Sequence, residues 1–255
     1  MFGLEFPPIN EILRWKDIFP TFNKVALIAV LAALIGITIF LLASRKDPMK
    51  APTGVRNFAE SIIDFVEQSI VMQTLGKSGL KWTPFLLSLF VFIFLCNIPE
   101  ILPVFQMPAT ARIAIPLCLA LLVWVVYIGT GIKHQGAGYF GHLLWPPDVP
   151  TALKPLVGAI EFISTIIVTP FSLTVRLMAN LMAGHILLVT FALLSEALFT
   201  AETNQLFLVP MGILPFLMLV FLTGFEILVA FLQAYIFAML AGVYINNSTA
   251  AHAEH

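Results

Sequence analysis

Two apolar stretches in the second half of the chain, residues 155–199 and 205–246, constrain its fold more than any other feature. As continuous helices each would run for about 60 Å, twice the ~30 Å hydrocarbon thickness of a bilayer. Each is therefore either two spans joined by a tight turn or one long, steeply tilted helix. Pro170, Pro210 and Pro215 are places where the chain can kink or turn. Neither stretch holds a cluster of polar turn residues, which favours the tilted pair.

The rest of the chain fits the same setting. With 60% hydrophobic and 11% charged residues the sequence reads as a polytopic membrane protein. Residues 25–43 supply about 19 apolar or small residues in a row, enough for one span. Residues 83–98 and 113–131 form a transmembrane hairpin, interrupted where Pro99 and Pro103 break the helix. Between the first span and the hairpin, Val55, Phe58, Ile62, Phe65, Val66 and Ser69 recur at helical spacing, opposite Glu60, Asp64 and Glu67. That pattern predicts an amphipathic helix on the membrane surface or against another subunit. The segment from Lys133 to Lys154, with His134, His142 and Asp148, is rich in glycine and proline and reads as a compact connector.

The expected fold is an all-α polytopic membrane protein in a single membrane domain. It has an external N-terminal tail (1–24), a transmembrane helix (25–43), and a cytoplasmic loop with the amphipathic helix (44–82). A hairpin (83–131), a second cytoplasmic loop (132–154), the long tilted pair (155–246) and a cytoplasmic tail (247–255) follow. Basic residues set the orientation. Arg14, Lys16, Lys24 and Arg112 fall on one side, and Arg45, Lys46, Lys50, Arg56, Lys77, Lys81, Lys133 and Lys154 on the other, which is then cytoplasmic. The N-terminus is expected outside and the C-terminus inside, and splitting both long stretches leaves that parity unchanged. The mixed N-terminal tail lacks the basic start and compact apolar core of a cleavable signal peptide.

Within the fourth stretch sits Arg176, a charge that costs roughly 2.5–3.5 kcal/mol to place near the bilayer centre. Arginine does not release its proton, so this is a fixed positive charge whose natural use is to attract or discharge a visiting carboxylate. Glu161, Thr165, Thr169, Ser172, Arg176 and Asn180 follow one another at helical intervals, a polar stripe expected to face a water-filled cavity or a protein partner. Deep in the same two stretches lie His185, Glu226 and Gln233. An imidazole and a membrane carboxyl are natural proton-relay groups, and Gln233 shares a helix face with Glu226. Asn180, one turn past Arg176, either orients the guanidinium or acts directly. Glu196 and Glu202, near the outer end, form an acidic mouth or a solvated loop.

Other chemistries find no footing. Cys96 and Cys118 lie in apolar segments and read as small buried hydrophobes. No zinc spacing, HExxH, GxSxG or phosphate-cradling glycine loop is present, so neither a cofactor nor bond-making chemistry is expected. A net charge of −1 without a basic patch argues against nucleic acid. His252 and His255 belong to a polar tail.

The run Pro170-Phe171-Ser172-Leu173-Thr174-Val175-Arg176-Leu177-Met178-Ala179-Asn180-Leu181-Met182-Ala183-Gly184-His185 resembles the signature of subunit a of the rotary F-type ATP synthase. Asn97-Ile98-Pro99-Glu100-Ile101-Leu102-Pro103 is similar to that family's motif after its first hairpin helix, and Glu226 with Gln233 resembles its last helix. The texture resembles bacterial, in particular actinobacterial, members. The resemblance implies a non-catalytic, proton-translocating stator in the bacterial plasma membrane, with the mitochondrial inner membrane as second choice. It implies a ring of c subunits as direct partner, b-type peripheral-stalk subunits and the remaining synthase subunits around it, and lipid elsewhere. Arg176 would be the essential charge facing each ring carboxylate. His185, Glu226, Gln233, Asn180, Glu161, Thr165, Thr169 and Ser172 would line two offset half-channels that carry H+ without a cofactor.

A self-contained proton or ion channel, or a secondary transporter, is the alternative reading; it predicts an internal repeat with broken helices, which the sequence does not show. A purely structural anchor leaves the charges inside the two longest apolar stretches unexplained.

Overall fold

The computed structural model describes residues 24–44, 53–101, 110, 112–136, 138–145, 150, 153–200 and 205–250. The two terminal tails, and with them Arg14, Lys16, His252 and His255, lie outside these residues, as do Arg45, Lys46, Lys50, Asp148 and Glu202. Among the described residues all regular structure is helical.

Helix α1 is Lys24–Ser44. Helix α2 runs over Val55–Val66, widens into a π turn at Glu67–Val71 and closes with Met72–Thr74. A 3-10 turn, Lys77–Trp82, leads into α3, Thr83–Asn97, which tightens into a further 3-10 turn at Ile98–Glu100 where Pro99 stops the helix. Helix α4 is Ala114–Gln135; it ends at Gly136, whose φ of 61° is open to glycine but strained for other residues. A short α5, Gly138–Leu144, occupies the connector. Helix α6 comprises Lys154–Ile163, a π turn at Ser164–Val168 and Thr169–Phe199; α7 is Gln205–Ala250.

Five helical segments are long and apolar enough to cross a membrane: Val25–Ser44, Lys77–Glu100, Ala114–His134, Lys154–Phe199 and Pro210–Thr249. The choice left open by the two longest stretches is resolved in favour of single helices. Helices α6 and α7 have 46 residues each. At 1.5 Å per residue that is about 69 Å, so neither stands upright in a ~30 Å layer.

Apolar burial drives little helix association in lipid, because the tails are as apolar as leucine; close backbone approach decides instead. Helix α7 has the sequence for it. Ala230, Ala234, Ala238 and Ala241 recur every three or four residues, all buried, and this small-residue stripe lies between α6 and α3. From α6 the facing row is Leu173, Leu177, Leu181 and His185, one residue per turn, also buried. An aromatic cluster fixes the outer flank: Phe231 of α7 meets Phe65 of α2 at 5.5 Å, Phe90 of α3 at 5.7 Å and Phe94 of α3 at 6.2 Å between ring centroids.

The amphipathic helix is joined to the body of the protein. It does not lie apart from the rest of the chain: Val66, Ile70 and Val71 are fully buried in the main core, and the helix packs on α1 and α3. Of the patterned residues Val66 is buried and Ile62, Phe65 and Ser69 are half-buried, whereas Phe58 is 57% and Val55 43% exposed, an apolar end open to lipid.

Candidate functional site

Helix α6 carries two chemically different sides. Arg176 lies on the exposed side with Ala179, Asn180 and Ala183 around it, and it makes no ion pair among the described residues. The neighbouring alanines keep that surface low enough for another helix to approach the guanidinium. Beside this patch, α7 exposes Phe225, Ile227, Leu228 and Leu232, so the charge stands within a broad apolar surface.

His185 is nine residues further along α6, about two and a half turns, and so points to the opposite side. It is buried, and the neighbouring Gly184 faces α7. The Glu226 carboxyl is seated directly against Gly184: a β-carbon there would overlap Oε1 and lie 2.6 Å from Cδ. Glu226 and Gln233 are both buried on the inner face of α7, as their spacing predicts. Across the helix pair, Asn180 Nδ2 donates a 3.2 Å hydrogen bond to Gln233 Oε1. This bond ties the exposed side of α6, one turn from Arg176, to the buried face of α7. The sequence left Asn180 either to orient Arg176 or to act directly; the hydrogen bond it makes is to Gln233.

The lower part of the polar stripe is not one continuous face. Pro170 has no N–H, and in the π turn that precedes it the N–H of Thr169 reaches back five residues to the Ser164 carbonyl. The Thr165 carbonyl is therefore the acceptor that Pro170 leaves without a helical donor. Helix α4 supplies the replacement, with Trp124 Nε1 at 3.3 Å and the Tyr127 hydroxyl both donating to Thr165 O. Thr165 and Thr169 are half-buried toward α4, and the Thr169 hydroxyl donates to Ser164 O at 2.9 Å. Ser172 is half-buried, whereas Glu161 and Arg176 are exposed. Glu196 is exposed near the far end of α6.

Two polar residues absent from the expected site emerge. Glu100 is only 5% exposed and Asn97 is fully buried, although they stand at the end of a span. Asn97 Oδ1 accepts a 2.6 Å hydrogen bond from Thr110. A carboxyl within the Asn-Ile-Pro-Glu run was visible in the sequence, but its burial was not.

No group of three or more His, Cys, Asp or Glu side chains able to hold a metal ion occurs among the described residues. Taken together, the geometry offers a fixed cation on an outward apolar face and a buried set of protonatable groups behind it.

Comparison with known proteins adds the lineage. The family described as ATP synthase A chain matches residues 25–246. A protein of Frankia alni named ATP synthase subunit a is 41% identical over 235 residues, covering 91% of this chain and 79% of the relative. Proteins of the same name from Streptomyces lividans (37% identical, 91% of this chain, 81% of the relative) and Maricaulis maris (38%, 92% and 90%) are similar over nearly the same extent.

Proposed function

This chain belongs to the ATP synthase A chain family, and from that premise we propose that Arg176 is the fixed charge at which a rotating ring of c subunits exchanges protons with two offset half-channels. The chain is a non-catalytic, proton-translocating stator subunit of the membrane sector of the synthase. The observation that carries the finer reading is the placement of Arg176. It is exposed on the same side of α6 as Ala179 and Ala183, without an ion pair among the described residues, and Glu226, Gln233 and His185 are buried between α6 and α7.

The chemistry follows from charge and solvation. A ring carboxylate turned toward lipid stays neutral, because an ion there is costly. Opposite Arg176 the guanidinium favours the ionised form, so the carboxyl releases its proton. Glu161, Thr165, Thr169 and Ser172 line the cytoplasmic exit. Past Arg176 the carboxylate is reprotonated from the outer side through Glu226, His185 and Gln233, with Asn180 coupling the two sides through Gln233. Arg176 also separates the half-channels, since it repels a free proton. Each proton crossing ~100 mV yields about 2.3 kcal/mol, and the offset between the channels gives that energy a direction of rotation.

The remaining assignments follow from the same reading. The domain layout is that of the sequence-based expectation, with α2 packed into the body of the protein. The partners are the c ring, b-type peripheral-stalk subunits and the other synthase subunits. The location is a bacterial plasma membrane with the N-terminus outside and the C-terminus cytoplasmic, the transported ion is H+ and no cofactor takes part. Liposomes reconstituted with the membrane sector, with and without the c subunits, test this. Proton conduction that needs the c subunits supports the reading; equal conduction by this chain alone refutes it and favours a self-contained channel.

A further inference from the structure

Behind Gly184 the protein buries more carboxyl than the mechanism above uses. Glu100 ends the 3-10 turn after α3, at the limit of the span Lys77–Glu100, while Glu226 lies well inside the span Pro210–Thr249. Helix α7, which carries Glu226, packs along α3, whose last turn leads into Glu100. Glu226 and Glu100 are each only 5% exposed. Glu100 Oε1, Glu226 Oε2 and Asn97 Nδ2 are all buried without a hydrogen-bond partner among the described residues.

Buried polar atoms are nearly always satisfied, so an orphan marks a place that something else serves. Here two of the orphans are carboxyl acceptors, one on α7 and one at the end of the α3 that packs along it, and a third is the amide donor of Asn97, three residues before Glu100. The charged and titratable side chains available to them are few. The buried histidine and carboxyl side chains among the described residues are His185 on α6, Glu226 on α7 and Glu100 at the end of α3, and no cation is paired with either carboxyl among these residues. A structural ion pair therefore does not account for them. Two carboxyls of like charge in a low-dielectric interior are held most cheaply with a proton on one of them. Such a pair passes a proton well, because either member can be the one that carries it.

We propose that Glu100 is a second proton-binding carboxyl, which takes up a proton at the end of α3 and hands it to Glu226. In the step, the O–H bond at Glu100 breaks and an O–H bond at Glu226 Oε2 forms, directly or through one bridging water that gives up one proton as it gains another. Glu100 is left as a carboxylate and is reprotonated from the adjacent aqueous side. The inference rests on the reading of Glu226 as part of the outer half-channel.

The test uses the complete synthase in inverted membrane vesicles, with ATP-driven proton pumping normalised to assembled complex. Glu100→Gln keeps the shape and removes the proton-carrying oxygen. It is expected to lower pumping about 10-fold or more, in line with the contribution of a positioned proton-transfer group. Glu100→Asp is expected to recover most of the loss, which a filler of space would not do. Pumping by Glu100→Gln close to the parent rate overturns the proposal, and so does Glu100→Asp failing as badly as Glu100→Gln. Arg176→Ala in the same vesicles separates the two levels. If it pumps normally, the proposed function itself falls; if it is silent while Glu100→Gln pumps normally, only the role of Glu100 falls.

Discussion

Replacing Gly184 by alanine is the sharpest structural perturbation of the outer half-channel, because the change is one methyl group and its target is the Glu226 carboxyl. The new β-carbon would overlap Glu226 Oε1 and stand 2.6 Å from Cδ, whereas ordinary contact begins at 3.4 Å, so the carboxyl carbon must retreat by about 0.8 Å and the nearer oxygen by more. Misplacement of a reacting group by about 1 Å costs up to ~10²-fold in rate, which puts the expected loss of proton pumping at roughly 10- to 100-fold. Folding should survive. Alanine gains about 1 kcal/mol over glycine in a helix, overpacking costs about 1–3 kcal/mol, and the net penalty is at most about 2 kcal/mol. The assay is ATP-driven pumping in inverted vesicles, with the amount of assembled complex measured in parallel. A second variant ties the effect to Glu226: Glu226→Asp withdraws the carboxyl by one methylene and vacates the space. The double variant should then be no slower than Glu226→Asp alone, a coupling that independent sites do not show. The reasoning fails if Gly184→Ala pumps at the parent rate, or if the two losses simply multiply.

Arg176→Lys should abolish pumping in an assembled complex, since lysine can lose its proton and lacks the planar fork; normal pumping by that variant contradicts the role of a permanent charge. Tyr127→Phe leaves the Thr165 carbonyl with only the 3.3 Å bond from Trp124. It should cost about 1 kcal/mol, seen as a lower melting temperature of the purified complex, and an unchanged melting temperature would show that the π turn does not depend on this donor.

Much of the helical plan was written in the chain's hydropathy. The five spans, the continuity of the two long helices and the common face of Glu226 and Gln233 all follow from run length, absent turn residues and period. Which face of each helix meets protein was far harder to read. In water a buried face is apolar and an exposed one polar, but in lipid both are apolar, so Phe58 of the apolar stripe is exposed while the adjacent Ala59 is buried. Small-residue spacing, as in Ala230, Ala234, Ala238 and Ala241, is the better guide in such a chain.

The candidate site was legible where a charge stood in an apolar run, which made Arg176, His185 and Glu226 stand out. It was obscure where tertiary contacts decide. The π turn at Ser164–Val168 depends on Pro170 and on two donors from α4 some forty residues earlier, Trp124 and Tyr127. Pro170 was visible, but the shift of helical register it accompanies was not. The Asn180–Gln233 bond joins residues 53 apart in sequence, and no local pattern announces it. A carboxylate at the end of a span ordinarily faces water, and nothing local to Glu100 announces that it is buried.

The most direct test of the central claim is ATP-driven proton pumping by vesicles carrying Arg176→Ala in a complex whose assembly is verified. An assembled complex that hydrolyses ATP without pumping protons is the predicted result and makes Arg176 the coupling charge. Pumping near the parent rate would make Arg176 a structural residue and contradict the account.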